Sequence, residues 1–243
     1  MSRATRGKST ALPGRRGPSV NLILTIGLVV LAVLVVGGIL LFNRSDEKTA
    51  VPPEKLVPAG AHTLSTVNGN KVTLVEFLDF QCPACASYYT NITKKVEQDY
   101  QGRITFVPRN FPLEMHPLAV PAARAAEAAG RQGKYNEMYH ALYNGYREWA
   151  VAGQDVNSDV AAATAKFEQY ATTIGLDVAK FRTDVTSPQV QTVIDRGIAD
   201  GREVGVDSTP TFFVNGEKFE PTGRTLADVD RQLREKLDQA LAG

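Results

Sequence analysis

The residues best suited to chemistry are Cys82 and Cys85, the only two cysteines among 243 residues. Such a Cys-x-x-Cys pair can close a structural disulfide, supply half of a zinc site, or exchange disulfides with another protein. A disulfide across two intervening residues removes very little entropy from the unfolded chain, so it would stabilise the fold only slightly. A structural disulfide is therefore the least favoured interpretation, and a zinc site and a redox-active pair are the two that the rest of the sequence must distinguish.

A structural zinc site needs four ligands, and the chain has no second cysteine pair to complete one. Its three histidines, His62, His116 and His140, follow no metal-ligand spacing. We interpret them as ordinary surface or partly packed side chains. We therefore expect no metal site and a redox-active cysteine pair.

The cysteines lie where a predicted strand passes into a predicted helix. Residues 71–80 are β-branched and aromatic and are apolar on both alternating faces, which is typical of a central strand covered on both sides. A helix is predicted from Pro83 to about residue 99, because proline is tolerated in a first turn. The N–H groups of that turn would stabilise a Cys82 thiolate, and Cys85 would be shielded but within reach.

The remaining elements indicate an α/β fold. A short strand is predicted near 63–67, ahead of an Asn-Gly turn, and a second central strand at 103–110. A long helical stretch follows at about 117–204, then a hairpin around Asn215-Gly216 and a closing amphipathic helix at 225–242. This order predicts a mixed central sheet with helices on both faces.

The N-terminal segment predicts a membrane anchor. Residues 1–20 carry five basic residues and no acid, whereas the remainder has 22 basic and 26 acidic residues. Residues 21–42 are uncharged and long enough, as a helix, to cover the roughly 30 Å hydrocarbon core. The basic flank should stay cytoplasmic, which places the later residues outside the membrane. A cleaved signal peptide and a buried helix are the alternatives, but the run is long and no clear cleavage site follows it.

The domain organisation follows from these segments. Residues 1–20 are interpreted as a cytoplasmic tail, 21–42 as the anchor, and 43–60 as a semi-extended, proline-bearing linker. The soluble domain is expected at 61–243. A basic tail can bind nucleic acid or a membrane surface, and the apolar run that follows favours membrane lipid as the partner, with no nucleic acid.

Two motifs and the helical stretch between them carry a family resemblance. The segments VTLVEFLDFQCPAC and VDSTPTFFVNG resemble the DsbA-like branch of the thioredoxin superfamily, and the resemblance covers nearly all of residues 62–243. It implies a thioredoxin fold interrupted by a helical domain at about 113–204. It also implies a membrane-anchored bacterial thiol–disulfide oxidoreductase, with Cys82 as the nucleophile and Cys85 as the resolving cysteine.

The resemblance implies further site residues. Family members often have a buried acid six residues before the first cysteine, here Glu76, which would move the proton of Cys85. The Thr209-Pro210 bond is expected to be cis, with its loop against the cysteines and its backbone turned towards a client. Strongly oxidising members often have Pro-His between the cysteines, where this chain has Pro83-Ala84. Ala84 offers no donor to the thiolate.

The expected function is donation of the Cys82–Cys85 disulfide to newly exported proteins. The partners would be reduced client proteins and, as the resemblance implies, a membrane quinone-linked protein that reoxidises the pair, with no organic cofactor. Two alternatives stay open. The same residues would serve a reductase or isomerase if the pair were kept reduced, because direction depends on redox potential. An anchored binding or chaperone module would make the cysteines incidental or metal-binding.

Overall fold

The computed structural model describes residues 51–67, 69 and 72–243. The predicted tail, the anchor at 21–42 and the first part of the linker lie outside the described residues. Among the residues described, no helix combines the length and the apolar character needed to cross a membrane.

The centre of the domain is a four-stranded mixed sheet with the strand order β2-β1-β5-β6. The strands are β1 (Thr73–Leu78), β2 (Thr105–Asn110), β3 (Val151–Ala152), β4 (Asp155–Val156), β5 (Thr211–Val214) and β6 (Glu217–Phe219), of which β3 and β4 form a separate ribbon. β1 pairs in parallel with β2 and antiparallel with β5, which pairs antiparallel with β6. The predicted mixed sheet is confirmed.

The hairpin between β5 and β6 follows from its turn residues. Asn215 and Gly216 have φ values of 49° and 86°. Two consecutive left-handed residues match the right-handed twist of a tight hairpin, and Asn-Gly tolerates them best.

Helices cover both faces of the sheet and fill the long connection from β2 to β5. They are α1 (Pro53–Leu56), α2 (Pro83–Tyr88), α3 (Lys94–Asp99), α4 (Ala119–Gly130), α5 (Tyr135–Asn144), α6 (Tyr146–Trp149), α7 (Val160–Thr173), α8 (Val178–Val185), α9 (Pro188–Glu203) and α10 (Leu226–Ala242). The helix predicted at 83–99 is interrupted by a π-helical turn, Tyr89–Thr93, which separates α2 from α3. Just there, the Thr90 hydroxyl and the Asn91 amide donate to main-chain carbonyls four residues back and so compete with the regular ladder.

Two apolar clusters lie on opposite faces of β1. Leu74 and Leu78 belong to the larger cluster, which includes side chains from α4, α5 and α10, whereas Val75 and Phe77 belong to the smaller one. Because side chains alternate along a strand, Glu76 points to the same face as Leu74 and Leu78. The one acid of β1 therefore faces the larger cluster.

Two predicted segments differ in the structure. Residues 51–60 are not a free linker, because Leu56 of α1 is buried and Arg109 donates from Nη1 to the carbonyl oxygens of Lys55 and Leu56, both at 2.8 Å. The apolar Leu56 and these backbone bonds make α1 part of the domain. The strand predicted near 63–67 is reduced to one antiparallel bridge, between Ser65 and Phe106.

Candidate active site

Cys82 is held between the start of α2 and the loop before β5. It caps α2 with extended dihedral angles, and its main-chain N–H donates to the Asp79 carbonyl oxygen over 3.1 Å. Its thiol lies 3.4 Å from the main-chain oxygen of Thr209. The side chain is only 5% exposed. Any reacting group must therefore approach one small exposed area of Cys82.

The two sulfurs differ strongly in acidity. A hydrogen bond from the Cys85 thiol, supported by the Cys85 main-chain N–H, lowers the pKa of Cys82 from 9.0 to about 6, even though burial acts to raise it. Burial raises the pKa of Cys85 well above its ordinary value, and the adjacent Cys82 raises it further. Both are free thiols, so the structure is the reduced form. At neutral pH, Cys82 is a thiolate and Cys85 is a thiol.

Thr209 and Pro210 lie against the cysteines, and the bond between them is cis, as expected. The Thr209 hydroxyl is buried and has no hydrogen-bond partner in the reduced protein. This donor is available to a charged sulfur, and Thr209 is among the groups that lower the pKa of Cys82. The carbonyl oxygen of the same residue instead accepts from the neutral thiol.

Glu76 is 1% exposed, and its Oε2 atom has no hydrogen-bond partner. Burial raises its pKa from 4.5 to about 8, the Tyr139 hydroxyl opposes this, and the Cys82 charge adds to it. The charge of Glu76 also acts on Cys85. A carboxyl that is neutral at pH 7 and coupled to both sulfurs can donate or accept their proton.

Three tyrosines of α5 lie near this acid and were not among the predicted site residues. Tyr135, Tyr139 and Tyr143 recur every four residues, so they share one face of the helix. Burial raises the pKa of all three, and the charge of Glu76 raises each further. The hydroxyls of Tyr135 and Tyr143 have no partner. The four-residue spacing of the tyrosines was the available sequence signal.

A buried, hydrogen-bonded pair also lies beside Cys82, formed by Asp79 and His116. The carboxylate oxygen Oδ2 of Asp79 accepts from His116 Nδ1 over 2.6 Å. This hydrogen bond to Asp79 raises the pKa of His116. The prediction that His116 is an ordinary surface or partly packed histidine is wrong. His116 is buried, because it forms a hydrogen bond with the buried carboxylate of Asp79.

Gln81 connects the cysteine loop to the helical insertion. Its side chain is fully buried, donates to the carbonyl oxygens of Ala150 and Asn157, and accepts from the Leu118 N–H. The Tyr146 hydroxyl donates to the Gln81 main-chain oxygen over 2.8 Å. The side-chain polar atoms and the main-chain carbonyl of Gln81 are therefore satisfied by the insertion, which fixes the residue directly before Cys82.

Pro83 and Ala84 are exposed beside the pair. A groove of about 760 Å³ begins at Pro83 and runs between α2 and the α5–α6 region, where Tyr146 and Arg147 line its other wall. Among the residues described, no three or more metal-ligating side chains are grouped to hold an ion. The structure thus brings all seven predicted site residues to one region, at one end of this groove.

Residues 68–235 match the thioredoxin family. Among solved structures, a thioredoxin-like oxidoreductase from Silicibacter pomeroyi DSS-3 is 26% identical with a TM-score of 0.61, covering 79% of this chain and 99% of that one. The thiol-disulfide exchange protein alpha-DsbA2 from Wolbachia pipientis is 21% identical with a TM-score of 0.60, covering 77% and 90%. BdbD from Bacillus subtilis is 18% identical with a TM-score of 0.60, covering 76% and 94%.

Curated relatives carry a different name. The Na(+)/H(+) antiporter NhaA 1 of Mycolicibacterium gilvum is 36% identical over 152 residues, which are 60% of this chain and 22% of the relative. That of Mycolicibacterium vanbaalenii is 34% identical over 207 residues, which are 79% of this chain and 30% of the relative. This chain thus spans less than a third of the length of these relatives.

Proposed function

The chain belongs to the thioredoxin family, and from this premise we propose that it is a DsbA-like thiol–disulfide oxidoreductase that donates the Cys82–Cys85 disulfide to exported proteins. The observation that carries the proposal is the unequal acidity of the two sulfurs. A stabilised Cys82 thiolate favours the reduced protein, so the oxidised pair is a better electron acceptor.

The first step breaks the disulfide of the protein. A client thiolate attacks Cys82 Sγ, a client–Cys82 disulfide forms, and the bond to Cys85 Sγ breaks. Cys85 leaves with the electron pair and needs a proton because its pKa is high. Glu76 supplies that proton, since its own pKa of about 8 keeps it protonated at neutral pH.

The second step releases the oxidised client. A second client thiolate attacks the client sulfur of the mixed disulfide, and Cys82 leaves as a thiolate. The pKa of about 6 makes Cys82 a good leaving group. Two electrons have then passed from the client to the cysteine pair, and the client has gained one disulfide.

Client binding follows from the surfaces around Cys82. The loop at Thr209 and Pro210 presents backbone groups beside the sulfur, which suits a client segment that adds as a strand. Pro83 and Ala84 form the exposed rim on the other side. A client held by its backbone needs no fixed side-chain sequence, so this arrangement serves many exported proteins.

The location and the reoxidising partner complete the proposal. The uncharged run at 21–42 would hold the domain at the outer face of the cytoplasmic membrane, in contact with lipid. A quinone-linked membrane protein would then return the pair to the disulfide after each cycle. Both proteins would share one membrane plane, which raises their effective concentration.

The test is an equilibrium redox titration of the full chain against glutathione, read by thiol trapping. We expect a pair more oxidising than glutathione, above about −220 mV. A potential below that of thioredoxin, about −270 mV, would instead assign the chain as a reductase. A pair that does not titrate as a two-electron couple would support the binding module.

Trapping provides the matched pair of variants. Cys85→Ser cannot resolve the mixed disulfide, so exported proteins should accumulate on Cys82. Cys82→Ser leaves only the buried Cys85 and should trap none. Equal trapping by both variants would contradict the assignment of Cys82 as the reacting sulfur.

A further inference from the structure

Asp79 is a buried carboxylate with three donors around it. Oδ1 accepts from the Gln81 N–H over 2.7 Å, and Oδ2 accepts from the Leu113 N–H over 2.9 Å and from His116 Nδ1 over 2.6 Å. Asp79 is 1% exposed. It thereby fixes the loop after β2 against the residues that lead into Cys82.

The charge of Asp79 opposes ionisation of the neighbouring Cys82 thiol. Its main-chain oxygen accepts from the Cys82 N–H, so the two residues are adjacent, and its negative charge acts to raise the pKa of Cys82. A buried anion beside a thiolate needs a counter-charge if the thiolate is to persist. Ala84 supplies none.

His116 is the group placed to supply it. The charge of Cys82 acts on Glu76, Cys85, Tyr146 and His116, and of these only His116 can become a cation. Burial holds the other three neutral at pH 7. The negative charge of Cys82 favours protonated His116, and because this coupling is mutual, protonated His116 favours the thiolate.

We propose that His116 is a positioning residue which neutralises Asp79 and thereby keeps Cys82 ionised and its disulfide oxidising. His116 comes from the loop after β2, 37 positions beyond Asp79. It supplies the positive charge near the thiolate that a histidine between the cysteines, absent from this chain, would otherwise supply. The proposal rests on the proposed function only in taking Cys82 as the reacting sulfur.

Removing the positive charge of His116 while keeping the Asp79 carboxylate should destabilise the Cys82 thiolate. In His116→Gln the N–H groups of Gln81 and Leu113 still donate to the Asp79 carboxylate, whose charge then acts on Cys82 without a counter-charge. We expect the thiolate-to-thiol ratio of Cys82, at the wild-type midpoint pH, to fall about three- to tenfold. The equilibrium constant with glutathione should fall by the same factor.

The double variant Asp79→Asn/His116→Gln separates charge from packing. It removes both charges, so the thiolate-to-thiol ratio of Cys82 should return to within about twofold of wild type. Such a recovery would show that the effects of the two substitutions are strongly non-additive, as expected for residues in contact. A purely structural role for His116 would leave the double variant at least as impaired as the single one. If His116→Gln alone fails to fold, Asp79→Asn is compared with the double variant instead, and loss of His116 should then lower the Cys82 thiolate-to-thiol ratio far less than the three- to tenfold expected with Asp79 present.

The experiment uses the reduced full chain and follows thiolate ultraviolet absorbance with pH, with circular dichroism to confirm folding. His62→Gln is the matched control, because His62 also pairs with a buried acid, Glu127, at 3.0 Å. It should leave the Cys82 midpoint unchanged. An unchanged midpoint in His116→Gln, or no recovery in the double variant, would overturn the proposal. A reducing wild-type potential would refute disulfide donation but leave this comparison intact.

Discussion

Replacing Glu76 with glutamine should remove most of the pH dependence that this buried carboxyl imposes on folding stability. Its pKa is about 8 in the folded protein against an ordinary value of 4.5, chiefly because of burial. At about 1.4 kcal/mol per unit, the difference corresponds to about 5 kcal/mol. Because the folded-state pKa is the higher one, this stability is fully present below about pH 4.5 and is lost as pH rises through about 8.

The assay is chemical denaturation of the oxidised protein at several pH values between 4 and 9. Oxidation removes the titration of Cys82 and Cys85, so the slope attributable to Glu76 is isolated. As pH rises from 4 to 9, the free energy of unfolding of Glu76→Gln should fall by several kcal/mol less than that of wild type. Glu235→Gln, at an exposed acid paired with Arg231, should leave the slope unchanged. Parallel stability curves for wild type and Glu76→Gln would refute a raised pKa for Glu76.

Three further outcomes are expected. The alkylation rate of the reduced protein should rise with pH around a midpoint near 6, the pKa of Cys82, and a midpoint near 9 would contradict an activated thiolate. Thr209→Val removes a hydroxyl that favours the thiolate, so alkylation at pH 6 should slow about two- to threefold. Gly197→Ala places Cβ 2.4 Å from the Asn110 main-chain oxygen, so denaturation should show a loss of about 1–3 kcal/mol, absent in exposed Thr192→Ala.

The elements that could be predicted are those whose signal is local. The apolar run of β1, the proline after Cys82 and the Asn215-Gly216 turn each specify their conformation within a few residues. Glu76 could be singled out because an acid inside an apolar strand has few ways to reach water. The cysteine pair could be predicted as the site from its spacing and from its position at the junction of a strand and a helix.

The features that could not be predicted depend on contacts between distant residues. Gln81 and Asn157 are 76 positions apart, and no local pattern indicates that one side chain donates to the other's carbonyl. The packing of Leu56 in the apparent linker depends on Arg109 of β2, which donates to its carbonyl. Short-range periodicity carries no information about such pairs.

The helical insertion determines the chemistry of the cysteine pair as well as covering one face of the sheet. Burial keeps Glu76 neutral at pH 7, and the buried tyrosines of α5 lie near it, although the Tyr139 hydroxyl itself acts to lower the pKa of Glu76. Gln81 finds its partners at Ala150 and Asn157, so the residue before Cys82 is also held by the insertion. Without these helices one side of the Glu76 site would open to water, so the pKa of Glu76 should move back towards 4.5. A lower pKa would make Glu76 a poorer donor of the proton that, in the proposed first step, passes to Cys85.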